Sequence, residues 1–109
     1  MIVLMANTNQ SIKQIQFSKK EILVWNDIIY TFRHIRRGKG FDPLDISSEL
    51  SEDIQSFYYE YPFLFMVGER GDIYPSELGF KLGMKVYTYL RMNRLPDELR
   101  IDGYKIVLK

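Results

Sequence analysis

The side chains that could perform catalysis are few and scattered in this sequence. The chain has 109 residues, a single His and no Cys. Without Cys there is no thiolate nucleophile, no disulfide and no Cys-ligated zinc, and one His cannot form a His-rich metal site within a subunit. His34 lies beside Arg33 and Arg36, so we interpret it as a solvated or phosphate-facing residue rather than as a general base.

Other residue types give no stronger indication of an enzyme. Asp42, Asp45 and Glu49 could hold Mg²⁺, but turn and helix-cap roles explain each of them separately. The glycines match neither a phosphate-binding loop nor a dinucleotide fingerprint, and no Ser lies in a nucleophile-elbow pattern. We therefore predict a protein without enzymatic activity, metal or cofactor.

Charge is the property that could recognise a partner, because it is strongly segregated. Residues 1–41 carry seven basic and two acidic side chains, residues 42–80 carry nine acids and only one base, and residues 81–109 carry seven bases and three acids. The net charge of +1 conceals a cationic patch if both basic ends fold onto one surface, and such a patch would attract a polyanion. The alternative is that the charges pair internally.

The N-terminal basic segment is predicted to be helical. Ser18 and Glu21 have the spacing of a capping box. Apolar residues then recur at helical spacing, and Gly38 provides a left-handed stop, so we predict a helix over 19–37. The basic residues of its last turn are Arg33, Arg36 and Arg37. Residues 1–17 are predicted to be an arm or a short strand.

The acidic middle segment contains a second helical pattern. The apolar stripe consists of Ile46, Leu50, Ile54, Phe57 and Tyr61. Ser47 or Ser48 can cap this helix, and Pro62 ends it. Residues 63–67 are consistent with a helical turn or with a strand pairing to 72–74, and we favour the helix.

Residues 71–95 carry the pattern on which the functional prediction depends. Pro75 suits the first turn of a helix, Gly83 can end that helix, and a second helix follows over 85–94 until Pro96. The alternative is one bent helix over 75–94 packed as core. Farther on, alternating residues on both sides of Asp102-Gly103 predict a hairpin over 99–108.

This order of elements resembles the winged helix-turn-helix family over residues 52–109. The carriers of the resemblance are Ile73, Pro75-Ser76-Glu77-Leu78, Leu82-Gly83-Met84 and the segment from Thr88 to Leu95. The resemblance implies a mainly α fold with a small β-hairpin, in which helix 85–94 enters the major groove and hairpin 99–108 is the wing. Gly79 and Asp102 depart from the pattern, since Gly weakens a helix and phosphate repels Asp.

The resemblance also implies which residues contact DNA. They are Lys81, Lys85, Thr88, Tyr89, Arg91, Arg94, Arg100 and Lys105. Further cations that could flank the DNA are Arg33, Arg36, Arg37 and Lys39. The predicted organisation is one domain over 1–109, with an arm over 1–17, an extra N-terminal helix within 18–41 and a winged helix-turn-helix unit over 46–109.

The predicted function is binding of duplex DNA, sequence-specific or general, by a small transcriptional regulator. The apolar side of helix 19–37 is larger than half a domain can bury, so this helix is expected to form a homodimer. That side consists of Trp25, Ile28, Ile29 and Phe32. The alternative is a protein-interaction subunit whose binding face is the acidic stretch. The longest apolar runs have five residues, against about 20 for a bilayer crossing, and no basic leader opens the chain, so we expect a cytoplasmic protein without membrane contact.

Overall fold

The first helix begins at the predicted capping box. The computed structural model describes residues 13–42 and 51–109. Helix α1 spans Lys19–Tyr30; the N–H of Glu21 donates to the Ser18 hydroxyl (3.0 Å), and the N–H of Ser18 donates to the Glu21 carboxylate (2.8 Å). A π-helical turn, Thr31–Ile35, continues α1. The helix predicted over 19–37 is thus confirmed to Ile35, and Gly38 supplies the left-handed stop at φ 85°.

The acidic segment forms a helix and then a small hairpin. Helix α2 spans Ser51–Glu60, and a 3₁₀ turn, Pro62–Leu64, follows it, so Pro62 ends the helix as predicted. The predicted start of this helix lies outside the described residues, as do two of the carboxylates considered for Mg²⁺. The residues concerned are Ile46, Ser47, Ser48 and Leu50 of the helix, and Asp45 and Glu49 of the carboxylates.

The helical turn favoured for residues 63–67 is wrong from Phe65 onwards, although Phe63 and Leu64 belong to the 3₁₀ turn. Strand β2, Phe65–Val67, pairs in antiparallel fashion with β3, Ile73–Pro75. The reversal is possible because Gly71 adopts a φ of 84°, and the N–H of Gly68 donates to the carbonyl of Asp72 at 2.7 Å. The alternative of a strand in this segment is therefore the correct one.

The break predicted at Gly83 is also wrong, because helix α3 runs without interruption over Glu77–Arg91. Gly83 and Gly79 are packing positions. A Cβ at Gly83 would lie 2.5 Å from Cγ1 of Ile29 in α1, and a Cβ at Gly79 would clash with the carbonyl oxygen of Leu64. At the same contact, Nε1 of Trp25 donates to the Gly79 carbonyl at 2.9 Å. The two-helix arrangement of a helix-turn-helix is therefore not formed by residues 77–91.

The C-terminal hairpin belongs to a larger sheet than predicted. Strands β4, Glu98–Ile101, and β5, Tyr104–Leu108, are joined by the predicted two-residue turn, in which Asp102 and Gly103 have φ values of 47° and 83°. Strand β1, Lys13–Phe17, pairs in parallel with β5, giving the order β1-β5-β4. The predicted mainly α fold with a small hairpin is thus wrong: the chain forms a small α+β fold with a mixed three-stranded sheet.

Helix α1 packs its apolar stripe into the core of its own protomer. Trp25 and Ile28 are fully buried, and Ile29 is almost fully buried, in one cluster with residues of α3 and the sheet. The surplus apolar surface that motivated the homodimer is therefore absent from these positions, and the homodimer stays a prediction. No helix within the described ranges is both long and apolar enough to cross a membrane.

Candidate nucleic-acid interface

Helix α3 presents a polar, cationic side to solvent. Lys81, Lys85, Thr88 and Arg91 follow one another at steps of four, three and three, which places them on one side of a helix. All four are exposed, and we call them the α3 face. The opposite side of the helix is buried and contains Gly79, Leu82, Gly83 and Val86. The predicted outward orientation of these cations is correct, although the helix that carries them is unbroken.

Two other elements border the α3 face. On one side lies the π-helical turn that follows α1. There Arg33 donates to Sδ of Met84 (3.0 Å), and its guanidinium lies 5.6 Å from the centre of the Phe80 ring. On the other side lies the hairpin, where Nζ of Lys85 donates to the carbonyl of Arg100 at 3.2 Å. The fold therefore brings cations from the N-terminal and C-terminal segments onto one surface.

Lys81 is the member of the α3 face whose charge is most fully offset. Its Nζ lies 2.9 Å from a carboxylate oxygen of Asp102 and 3.2 Å from one of Glu77. Hydrogen bonds to these carboxylates, that to Asp102 first, raise the pKa of Lys81. The ammonium stays charged, but a phosphate would have to compete with two carboxylates for it.

The cations of the hairpin are similarly engaged. Arg100 and Lys105 contact the two oxygens of Glu98 at 3.0 and 3.5 Å. The hydrogen bond from Arg100, assisted by the charge of Lys105, holds the pKa of Glu98 below its ordinary value. Because the hairpin holds two cations, Arg100 and Lys105, and two carboxylates, Glu98 and Asp102, residues 98–108 carry no net charge.

The remaining predicted residues of α3 differ in accessibility. The Thr88 hydroxyl donates to the carbonyl of Met84 at 3.0 Å, one turn earlier. Tyr89 is half-buried against the core and does not join the α3 face. Arg94 is exposed just beyond the helix. The guanidinium of Arg91 lies 5.8 Å from the ring centre of Tyr87. The exposed cations best placed to contact phosphate are Lys85 and Arg91 on α3 and Arg94 just beyond it.

Among the other cations predicted to flank DNA, Arg36 stabilises the local backbone. Its guanidinium donates to the carbonyls of Lys39 (3.1 Å) and Gly40 (2.6 Å) and lies over the ring of Phe41. These contacts close the turn after the π-helical segment. Arg37 and Lys39 are exposed on that turn.

Two grooves flank helix α3. The groove between α3 and the hairpin has a volume of about 520 Å³ and includes Phe80, Met84 and Ile101. The groove between α1 and α3 has a volume of about 240 Å³ and includes Tyr30, His34 and Tyr87. Tyr30 and Tyr87 are not among the site residues predicted from the sequence. The available signal was a pair of i, i+4 spacings, Tyr30 to His34 and Tyr87 to Arg91.

Comparison of the chain with protein families, curated proteins and solved structures finds no match. Among the described residues, no three His, Cys, Asp or Glu side chains are grouped so that they could hold a metal ion. No comparison supports the winged-helix resemblance, and the unbroken α3 lacks the turn between two helices on which that resemblance depended.

Proposed function

We propose that this protein binds nucleic acid through the α3 face and performs no catalysis. One observation carries the proposal: Lys81, Lys85, Arg91 and Arg94 are all exposed on α3 or just beyond it, and the one carboxylate of that helix, Glu77, lies in its first turn and pairs with Lys81. A helix with this pattern attracts phosphates regardless of base sequence, which is the main source of nonspecific affinity for nucleic acid.

The position of α3 supports contact with an extended polyanion. The helix has 15 residues, and an α-helix of this diameter fits the major groove of B-DNA. Arg33 extends the cationic surface beyond the helix on the side of α1. The partner predicted from the sequence is duplex DNA, and the predicted role is that of a small cytoplasmic regulator of transcription. The cations of the α3 face would contact the phosphates of a duplex and of a single strand alike.

The proposal is tested by the salt dependence of binding. We expect a labelled duplex and a labelled single strand to bind at low salt, with an affinity that falls steeply as salt is added. Lys85→Ala and Arg91→Ala should each weaken binding severalfold and reduce the log–log salt slope by about 0.9 for each phosphate that the variant no longer neutralises. Arg70→Ala is the matched control, because Arg70 is an exposed cation in the acidic segment.

Binding weaker than about 0.1 mM at low salt would contradict the proposal, because nonspecific nucleic-acid affinity normally reaches that level. A specific observation would then favour a protein-interaction subunit. Tyr59, Met66 and Val67 are 89%, 55% and 55% exposed, and all three belong to the acidic segment. A partner with apolar and basic residues would suit that surface.

A further inference from the structure

The groove between α1 and α3 combines aromatic rings with cations. Its aromatic residues are Tyr30, His34 and Tyr87, and its lining also includes Arg33 and Met84. We call it the aromatic groove. The rings of Tyr30 and His34 lie with their centres 4.7 Å apart. The π-helical turn Thr31–Ile35 carries Arg33 and His34, and such turns are frequent at functional sites.

Exposed aromatic rings are concentrated at this groove. The chain contains eight Tyr, seven Phe and one Trp, and all of them lie within the described residues. Of these, only Tyr30 (51% exposed), Tyr87 (42%) and Tyr59 (89%) are exposed. Two of the three therefore line the aromatic groove, where their rings are not needed to fill the core.

The charge of the aromatic groove also differs from that of the three other grooves described on this surface. The other three include carboxylates in their linings: Glu77 and Asp102; Glu21, Asp53 and Glu60; Glu69 and Asp72. Among the described residues that line the aromatic groove there is no carboxylate. Arg33 lies in the groove, and Arg91 lies against the ring of Tyr87. The complementary ligand is a flat aromatic ring attached to an anion.

We propose that the aromatic groove binds an unpaired base of a single-stranded nucleic acid. The base contacts the rings of both Tyr87 and Tyr30, and the adjoining phosphates contact Arg33 and Arg91. This inference rests on the proposed function and makes it more specific, because a base stacked and paired inside a duplex cannot enter the groove. Proteins that bind single strands commonly combine cations along the backbone with aromatic rings for the bases.

The test compares three labelled oligomers of equal length by fluorescence anisotropy at low salt: a mixed-sequence single strand, its duplex, and a strand of abasic units. The wild-type protein should prefer the single strand. Tyr87→Ala and Tyr30→Ala should each weaken binding of the single strand by about tenfold, since a stacked base contributes about that much, and leave binding of the abasic strand unchanged. Tyr87→Phe keeps the ring and should retain the affinity.

The matched control is Tyr59→Ala, which removes an exposed ring from α2 and should change no affinity. Circular dichroism of each variant checks that it is folded. The inference is overturned, with the proposed function intact, if oligomers bind but Tyr87→Ala behaves like Tyr59→Ala, or if the duplex binds as tightly as the single strand. If none of the three oligomers binds, the proposed function fails together with the inference.

Discussion

The carboxylate of Glu21 joins two parts of the chain that are far apart in sequence. One oxygen accepts from the N–H of Ser18, and the other accepts from the hydroxyl of Tyr61 at 2.9 Å. Partial burial acts to raise the pKa of Glu21, but these hydrogen bonds outweigh it and the pKa is lowered. Burial and the nearby Glu21 charge raise the pKa of Tyr61 to about 12. The pair thus favours ionised Glu21 and neutral Tyr61.

This pair predicts how stability depends on pH. Because the pKa of Glu21 is lowered by folding, its stabilisation is present at neutral pH and is lost as the pH falls below 4.5 through the lowered value. The raised pKa of Tyr61 gives a contribution that is present below pH 10 and is lost as the pH rises towards 12. Thermal unfolding of Glu21→Gln should show a weaker loss of stability in acid than the wild type, whereas Glu52→Gln should follow the wild type. Parallel acid profiles for all three proteins would contradict this assignment.

Asp102 provides a second prediction at the scale of one residue. Its carboxylate pairs with Lys81 beside the α3 face, and its φ is 47°. Asp102→Asn keeps a residue type that tolerates this backbone conformation and removes the competing charge from Lys81. We expect nucleic-acid affinity at low salt to rise about two- to fivefold, with little change in stability because the pair is exposed. Unchanged or weaker binding would contradict a role for this edge of the surface.

Among the elements, helix α3 shows most clearly why a local pattern can be ambiguous. Gly83, between Leu82 and Met84, is compatible with a turn between two helices and equally with a close contact between α3 and another helix. Which of these forms depends on the residues that pack against Gly83. The opposing atoms belong to Ile29, more than fifty positions earlier. The sequence shows that a side chain is missing at Gly83; only the packed structure shows which neighbour requires its absence.

Replacing a glycine of α3 tests this explanation. By helix propensity alone, Gly79→Ala should stabilise the protein by about 1 kcal/mol. The Leu64 carbonyl and the Trp25 ring leave no room for the new methyl group, so we expect a loss of about 2 kcal/mol or more in the free energy of unfolding. Thr88→Ala, on the exposed side of the same helix, should change it little. Denaturant titration measures both, and a more stable Gly79→Ala variant would contradict the close contact.

Elements defined by near neighbours were predictable, and those defined by distant ones were not. The capping box at Ser18 and the turn at Asp102-Gly103 depend on contacts within a few residues, and both were predicted correctly. The parallel pairing of β1 with β5 joins Lys13–Phe17 to Tyr104–Leu108, and no local pattern in either strand specifies its partner. That single pairing changes the fold from a mainly α protein to an α+β protein.

For the whole molecule, the arrangement of charge was predictable in part. Segregation along the chain indicated a cationic surface, and the contact of Arg33 with Met84 does bring the end of α1 beside α3. The hairpin adds less positive charge to that surface, because Glu98 pairs with Arg100 and Asp102 pairs with Lys81. The aromatic groove could not be predicted, because it exists only where α1 and α3 pack against each other.

The most direct test of the central claim is to map the contact surface by NMR. The ¹⁵N-labelled protein is titrated with the mixed-sequence single strand at low salt, and amide shifts are followed residue by residue. The account predicts that the largest changes fall on residues 30–34 and 81–94, with little change across α2. Changes centred on α2 and on Phe65–Val67, or no saturable change anywhere, would contradict nucleic-acid binding by the α3 face.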